Sequence, residues 1–377
     1  MKGLVLAGGH GTRLRPLTFT GNKHMIPIAN QPILFYGLRS LAQAGIRDVA
    51  VILGPIEEGI REGVGDGSRF GLRVEYIVQG EPKGLAHAVQ CARSFLGADP
   101  FLMYLGDNLL QSGVNQFVDR YESQEPDAVV GASPVAHPQG YGVVEVAGDR
   151  IISIEEKPTH PRSNLALIGV YLFTESIHSI IEKLSPSRRG ELEITDAIWR
   201  LWQSRERVSV LTVNGWWKDT GHPDDLLEAN ELVLRSMPSE SFRVEGIVRP
   251  GAHVEGPVGV GPGSIVESDA KIIGPTILGS DVRVEGGSHV GPYCAIGNRV
   301  VVDRSSLRRS IVLEGARIDG VSIADSLVGR NAEVRSSGPG ARQEPMSARS
   351  NETPGRRSRA ARSMSSAESI PVMEAMG

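Results

Sequence analysis

Cysteine is nearly absent: Cys91 and Cys294, far apart in 377 residues, offer neither a disulfide framework nor a thiolate metal site. Charge of one sign is also lacking. A net charge of −4 argues against nucleic acid as an obligatory partner. No apolar run approaches the roughly 20 residues that span a bilayer, and the apolar start of "MKGLVLAGG" breaks off in glycines, where a secretory signal would continue. The expectation is a cytoplasmic protein with no membrane partner. Residues 336–377 contain no Phe, Trp, Tyr or Leu. Such a segment buries too little apolar surface to offset the entropy of ordering, so a disordered tail is expected there. The glycine-rich stretch "LAGGHGTRLRP" (6–16) misses both common phosphate-loop patterns. Leu14 stands where a third glycine would complete G-x-G-x-x-G, and no lysine follows as in a Walker A loop.

What is present divides the chain. A length of 377 residues predicts more than one domain. Through residue 237, β-branched runs alternate with helical segments. Strands are expected at 4–6, 48–54, 74–79 and 101–108. A helix is expected at 32–44, closed by Gly45. Another is expected over 84–97, where Leu85, Val89, Ala92 and Leu96 recur at helical spacing. This rhythm predicts a Rossmann-like, mostly parallel sheet, in which ligands sit at the carboxyl ends of the strands. Both the glycine loop and Asp107 fall at such ends.

From Val248 the period changes to six. Val248, Val254, Val260, Val266, Ile272, Leu278, Val284, Val290, Ile296 and Val302 are all aliphatic, and the positions four further on are nearly all small, through Ser306. Hexapeptide repeats of this kind coil into a parallel β-helix, three to a turn. Ten steps imply about three coils; the register breaks after Val302 and partly recovers over 310–334. The expected domains are 1–237, 244–335 for the β-helix, and the tail 336–377.

If the first loop binds a triphosphate, the backbone N–H groups of Gly8, Gly9, Gly11 and Thr12 approach its oxygens closely, since glycine has no Cβ in the way. Arg13 and Lys23 add positive charge, and Arg15 either does the same or pairs with the protein's own carboxylates. Asp107 in "YLGDN" and Asp219 in "WWKDTG" both end apolar runs. Each alone reads more readily as a turn or cap residue; as a pair beside the glycine loop they suit Mg²⁺, which takes oxygen ligands and substrate phosphates.

Eight segments in order carry a resemblance: "LAGGHGTRLRPLT", "NKHMIPIANQPIL", "QGEPKGLAHAV", "YLGDN", "YGVVEV", "IEEKP", "GELEITDAI" and "WWKDTG". Over residues 1 to about 335 the chain resembles the sugar nucleotidyltransferases, most of all the long branch that acts on dTTP and glucose 1-phosphate and ends in a left-handed β-helix. The resemblance implies Mg²⁺-dependent formation of dTDP-glucose and pyrophosphate for deoxysugar biosynthesis, by a homo-oligomeric enzyme. It assigns Leu6, Gly8, Gly9, Gly11, Thr12, Arg13, Gln79, Gly84 and Asp107 to the nucleotide. Arg13, Lys23 and Lys157 are the implied catalytic cations, and Asp107 and Asp219 the metal ligands. Tyr141, Gly142, Glu156, Lys157, Leu167 and Trp217 would line the sugar-phosphate pocket, with Lys218 helping to shape it. His24 replaces the family's usual glutamine. A UTP-using sugar-1-phosphate uridylyltransferase, or a non-catalytic regulatory subunit of the same fold, are the alternatives. His10 fills a variable slot of the loop, and His87 is expected to be packed or tipped toward solvent.

Overall fold

The computed structural model describes residues 1–336 except His10, Thr20 and Asp149, together with the backbone of Val372–Met373. The reading of His10 and, apart from Ser336 and Val372–Met373, that of the tail lie outside the described residues. Met1–Phe242 forms one compact unit, and the chain from Arg243 builds most of a second.

The apolar runs of the first unit become a nine-stranded sheet. Its parallel half comprises β1 (Lys2–Ala7), β2 (Asp48–Leu53), β3 (Arg73–Val78) and β4 (Phe101–Leu105), in the order β3-β2-β1-β4. The central strand β1 runs in register from Gly3↔Val49 to Ala7↔Leu53 on one side and from Lys2↔Phe101 to Leu6↔Leu105 on the other. Because side chains alternate along a strand, Leu4 and Leu6 enter one apolar cluster with Ala50 and Ile52, while Val5 and Ala7 enter another with Val49 and Val51. Both faces of these strands are therefore covered, which accounts for their unbroken hydrophobic sequences.

Helix α1 (Ile33–Gln43) packs on the sheet through Gly37, where a Cβ would lie 2.7 Å from the Tyr104 ring. It closes at Gly45, whose φ is +80°, and the Ile46 N–H reaches back to the Leu41 carbonyl at 3.1 Å. The helix expected over 84–97 divides instead into α2 (Leu85–Cys91) and a short turn, Arg93–Leu96. Ala92 marks the break: its N–H is shared between the carbonyls of Ala88 and Val89, at 3.2 and 3.1 Å, a tightening common at helix ends.

Later strands extend the sheet beyond β4 through mostly antiparallel pairs. After β5 (Asn108–Leu110) come β6 (Ala128–Pro134), β7 (Gly142–Ala147), β8 (Arg150–Glu156) and β9 (Leu165–Phe173); β9 pairs with β4, β6 and β7. Helix α3 (Ile194–Gln203) and strand β10 (Val208–Thr212) follow, β10 running parallel to β6 at the sheet edge. Finally β11 (Trp217–Asp219) pairs with β5 in a small separate ladder before helix α4 (Pro223–Ser236).

The second unit is a left-handed parallel β-helix whose short strands stack in three sheets. Successive coils lie 18 residues apart, as in Val248↔Val266↔Val284↔Val302. The six-residue aliphatic positions from Val260 to Val302 are all buried. Beyond Val302 the coil shortens to 16 residues, Val302 stacking on Ile318 and Ile318 on Val334. The lost sequence register thus marks shorter coils within a continuous stack, and the β-helix extends past the three coils expected. Ser305, rather than the expected Ser306, takes the buried small position. Corner hydroxyls stitch neighbouring coils: Ser264 Oγ donates to the Gly279 carbonyl at 2.7 Å and accepts from the Val282 N–H at 2.8 Å. The backbone of Val372–Met373 pairs in parallel with Leu327–Val328. Among the described residues, no helix is long and apolar enough to cross a membrane.

Candidate active site

The glycine loop leaves β1 beside the end of β2, and there the two backbones nearly touch. A Cβ on Gly54 would lie 2.2 Å from the Gly8 carbonyl oxygen. Leu6 is buried in β1, its carbonyl accepting the Gly106 N–H at 2.9 Å. Gly11 takes a left-handed φ of +62°, and its carbonyl accepts the Thr18 hydroxyl at 2.8 Å. The turn Thr12–Leu14 follows. Arg13 then points its guanidinium at His222, Nη1 lying 3.0 Å from Nε2. Beneath the loop runs Lys23; a Cβ on Gly9 would lie 2.8 Å from its Cε. Arg15 turns aside and lies over the Phe19 ring, 5.3 Å from its centroid.

Lys23 ends on Asp107, its ammonium bonded to Oδ2. Asp107 follows the turn after β4, and the Tyr104 hydroxyl steadies that turn by donating to the Asn108 carbonyl at 2.8 Å. The ladder between β5 and β11 places Asp219 opposite Asn108. The next residue, Thr220, donates its N–H and hydroxyl to the Asp107 carbonyl at 3.1 and 2.7 Å. The two strand-end aspartates are thereby brought together. Burial alone would push the Asp107 carboxyl up, but the Lys23 ammonium overrides it and holds the group below the usual carboxylate range. Asp219 is pushed up to about 7, first by burial and then by the Asp107 charge.

Two half-buried carboxylates that repel each other offer hard oxygen donors of the kind a magnesium-like ion takes, alongside phosphate and water. Among the described residues no group of three or more His, Cys, Asp or Glu surrounds a possible metal position. His24 lies just behind and is buried; burial and then Lys23 push its pKa down to about 3, so the ring is neutral. Asn22 Oδ1 accepts from its backbone N–H at 2.9 Å and lies 2.7 Å from Nδ1, which fixes the ring proton on Nδ1.

Gln79 follows β3, and its N–H donates to the Leu53 carbonyl at 2.9 Å. Its side-chain Nε2 donates to the Gly84 carbonyl at 3.1 Å. Gly84 has a φ of +100° and lies against Leu192, where a Cβ would sit 2.5 Å from the carbonyl oxygen. Leu192 belongs to "GELEIT". Its N–H and carbonyl join Lys83 and Ala86 at 2.8 and 3.0 Å, locking that segment onto the loop before α2.

The same segment builds the second cluster. Glu156, at the end of β8, accepts the Thr195 hydroxyl at 3.2 Å and an Arg189 Nη1–H at 3.2 Å. Arg189 also bonds Glu191 and the buried Glu193. Burial and then Glu193 raise the Glu156 pKa, against the pull of Lys157 and Arg189. Gly142 is hemmed in by Thr195, Leu167 and Glu156, leaving no room for a larger side chain. Lys157 adopts a left-handed φ of +44°, its N–H bonded to the Tyr141 carbonyl at 3.0 Å. The Tyr141 and Trp217 rings meet edge-on at 5.3 Å, and Trp217 is two residues from Asp219, so the clusters adjoin.

The fold therefore gathers most of the sequence-derived residues into one cluster of glycine loop, Lys23 and carboxylates and one cluster around Glu156. Lys218 departs from expectation: its ammonium is committed to Asp225 and Glu228 on α4, at 3.0 and 2.6 Å. Arg189, Thr195 and His222 escaped sequence reasoning, as did the Gly54 approach. A separate cavity of about 570 Å³ lies between Arg120, Trp202, Arg207 and the edge strand β10.

The nucleotidyl transferase family model matches residues 2–236. A glucose-1-phosphate thymidylyltransferase from Streptomyces griseus is 46% identical over 338 residues, 89% of this chain and 94% of that protein. A crystal structure described as a glucose-1-phosphate thymidylyltransferase of Bacillus anthracis, in complex with sucrose, is 36% identical with a TM-score of 0.58 and covers 62% of this chain and 94% of its own. The structure of a UDP-glucose pyrophosphorylase with UDP-glucose is 26% identical, with a TM-score of 0.56, and covers 63% and 99%. A match over most of the first unit, and relatives this similar along nearly their whole length, establish that the chain belongs to the nucleotidyl transferase family.

Proposed function

We propose that this enzyme transfers the thymidylyl group of dTTP to glucose 1-phosphate, giving dTDP-glucose and pyrophosphate for deoxysugar biosynthesis. The carrying observation is the stack of Gly9 over Lys23 over Asp107, with Asp219 alongside. It brings the Lys23 ammonium and the two aspartates close to the glycine loop, which supports this reading. A phosphate oxygen of the sugar phosphate attacks the α-phosphorus in line. The new P–O bond forms as the bond to the bridging oxygen breaks, and its electron pair leaves with pyrophosphate. Neither half-buried Cys91 nor buried Cys294 is called on as a nucleophile.

Gly8, Gly9, Gly11 and Thr12 cradle the phosphates, with Leu6 beneath them, and Arg13 and Lys23 balance the charge that builds on the leaving group. Gln79 and Gly84 read the base. Glu156 accepts hexose hydroxyls, with Tyr141, Gly142, Leu167 and Trp217 shaping the pocket, and Lys157 holds the sugar phosphate. Asp107 and Asp219 are the residues that would hold Mg²⁺, which supplies Lewis-acid neutralisation of phosphate oxygens when bound. We assign catalysis to residues 1–237 and take no reacting group from the β-helix of 244–335 or from the tail 336–377. We place the enzyme in the cytoplasm, in keeping with two cysteines that form no disulfide. The oligomer we expect has exposed apolar side chains available at the start of the β-helix, Val244, Ile247 and Val254.

A UTP-using enzyme is the second reading, favoured by the likeness to the UDP-glucose pyrophosphorylase and by a Gln79 contact that suits either base. A methyl pocket discriminates by only about 1–3 kcal/mol. Pyrophosphate release with glucose 1-phosphate, measured side by side for dTTP and UTP, tests the choice: a higher kcat/KM for dTTP supports the first reading, and a higher value for UTP supports the second.

A further inference from the structure

Gln79 lies where it can meet a nucleotide base, yet an amide side chain presents either an acceptor or a donor depending on which way it faces. The surroundings decide. Gly84 offers a carbonyl oxygen, which only accepts, so the amide atom 3.1 Å from it is the NH₂. His87 Nδ1 lies 3.2 Å from the same nitrogen. With both amide hydrogens directed inward, Nδ1 must present its lone pair, and the ring proton sits on Nε2. That proton faces Cys91 Sγ at 3.7 Å, one helical turn further along α2. Burial and the Lys83 charge lower the His87 pKa, keeping the ring neutral. Gln79 Oε1 is left over on the side of the glycine loop, 3.4 Å from where a Cβ on Gly8 would stand.

We propose that His87 is a positioning residue that fixes the Gln79 amide with its oxygen toward the base, restricting the nucleotide site to pyrimidines that carry a hydrogen on N3. Thymine and uracil donate from N3; cytosine presents a lone pair there and meets Oε1 lone pair to lone pair. This rests on the proposed nucleotidyl transfer. Gly84 alone restrains only one amide hydrogen. The second restraint, and the cost of turning the amide over, comes from the imidazole.

The test compares His87→Leu, which removes the acceptor, His87→Gln, which restores one, and His87→Lys, which offers only donors. Each is assayed for dTTP turnover with glucose 1-phosphate and for competitive inhibition by dCTP. His87→Leu should raise KM for dTTP about tenfold, the scale of one lost hydrogen bond, with kcat within about twofold and the inhibition constant for dCTP lowered. His87→Gln should return both constants toward wild type, and His87→Lys should fall at least as far as the leucine variant. If the leucine variant does not fold, the contrast between the glutamine and lysine variants decides. Unchanged constants in the lysine variant, or equal effects of Gln and Lys, overturn the proposal. A wild-type protein that turns over no nucleotide overturns the functional reading instead, a separate and visible outcome.

Discussion

Asp219 reaches Asp107 through the ladder that sets it opposite Asn108, and Thr220 then clamps the Asp107 carbonyl with two hydrogen bonds. The carboxylate pair is thus held by backbone pairing before any ion arrives. Asp107→Asn keeps the turn and the ladder but removes one charge from the donor set. It should lower kcat by at least about 10³-fold while circular dichroism remains that of the native protein. Near-normal turnover would remove Asp107 from the metal site.

Glu156 is raised by burial and Glu193 and pulled down by Lys157 and Arg189. If its ionised form accepts the hexose hydroxyls, activity falls as pH drops through its pKa. Arg189→Gln removes a lowering charge, so the acid limb of kcat/KM for glucose 1-phosphate should move to higher pH. A limb that stays in place or moves down would contradict this assignment. Glu156→Gln should lower the same kcat/KM about 10²-fold, as expected for loss of charge-assisted hydrogen bonds.

The approach of Gly54 to the Gly8 carbonyl admits no side chain. Gly54→Ala should displace the phosphate loop and raise the nucleotide KM by about tenfold or more, since misplacement on the ångström scale is costly. Its KM for the sugar phosphate should change little. Steady-state kinetics with each substrate varied in turn separates the two effects.

His178, on the short helix Ser176–Ile181, is buried against Phe101, and its Nε2 has no hydrogen-bond partner. Burial and then Arg93 push its pKa down to about 4. Between that value and the ordinary 6.5 the unfolded chain binds a proton that the folded one does not. Stability should therefore fall with pH across this window, by about 2 kcal/mol at pH 5. His178→Phe should remove that share of the loss in urea unfolding compared at pH 7 and pH 5.

Much of this was legible in the residue order, for physical reasons. The six-residue aliphatic period is a property of every coil, so the β-helix announces itself; its change to 16-residue coils beyond Val302 changes only the count. Strand-end positions of the glycine loop and Asp107 follow from local apolar runs. What could not be read depends on contacts between distant segments. Nothing near Arg189 says that it will bridge Glu156 and Glu193, and "GELEIT" gives no sign that Leu192 will lock the loop at Gly84. The Gly54 approach comes from parallel pairing of β1 with β2, and the His87 tautomer from a carbonyl three residues away in a non-helical turn. Lys218 lies beside Asp219 in sequence, yet strand alternation turns it toward α4.

The central claim is direct transfer of the dTTP α-phosphorus to glucose 1-phosphate. Incubation with Mg²⁺, glucose 1-phosphate and dTTP labelled at the α-phosphorus should move the label into dTDP-glucose, with one pyrophosphate released per product and none of the label retained on the protein. No labelled sugar nucleotide from any of the four nucleoside triphosphates, tried with several hexose 1-phosphates, would contradict the account.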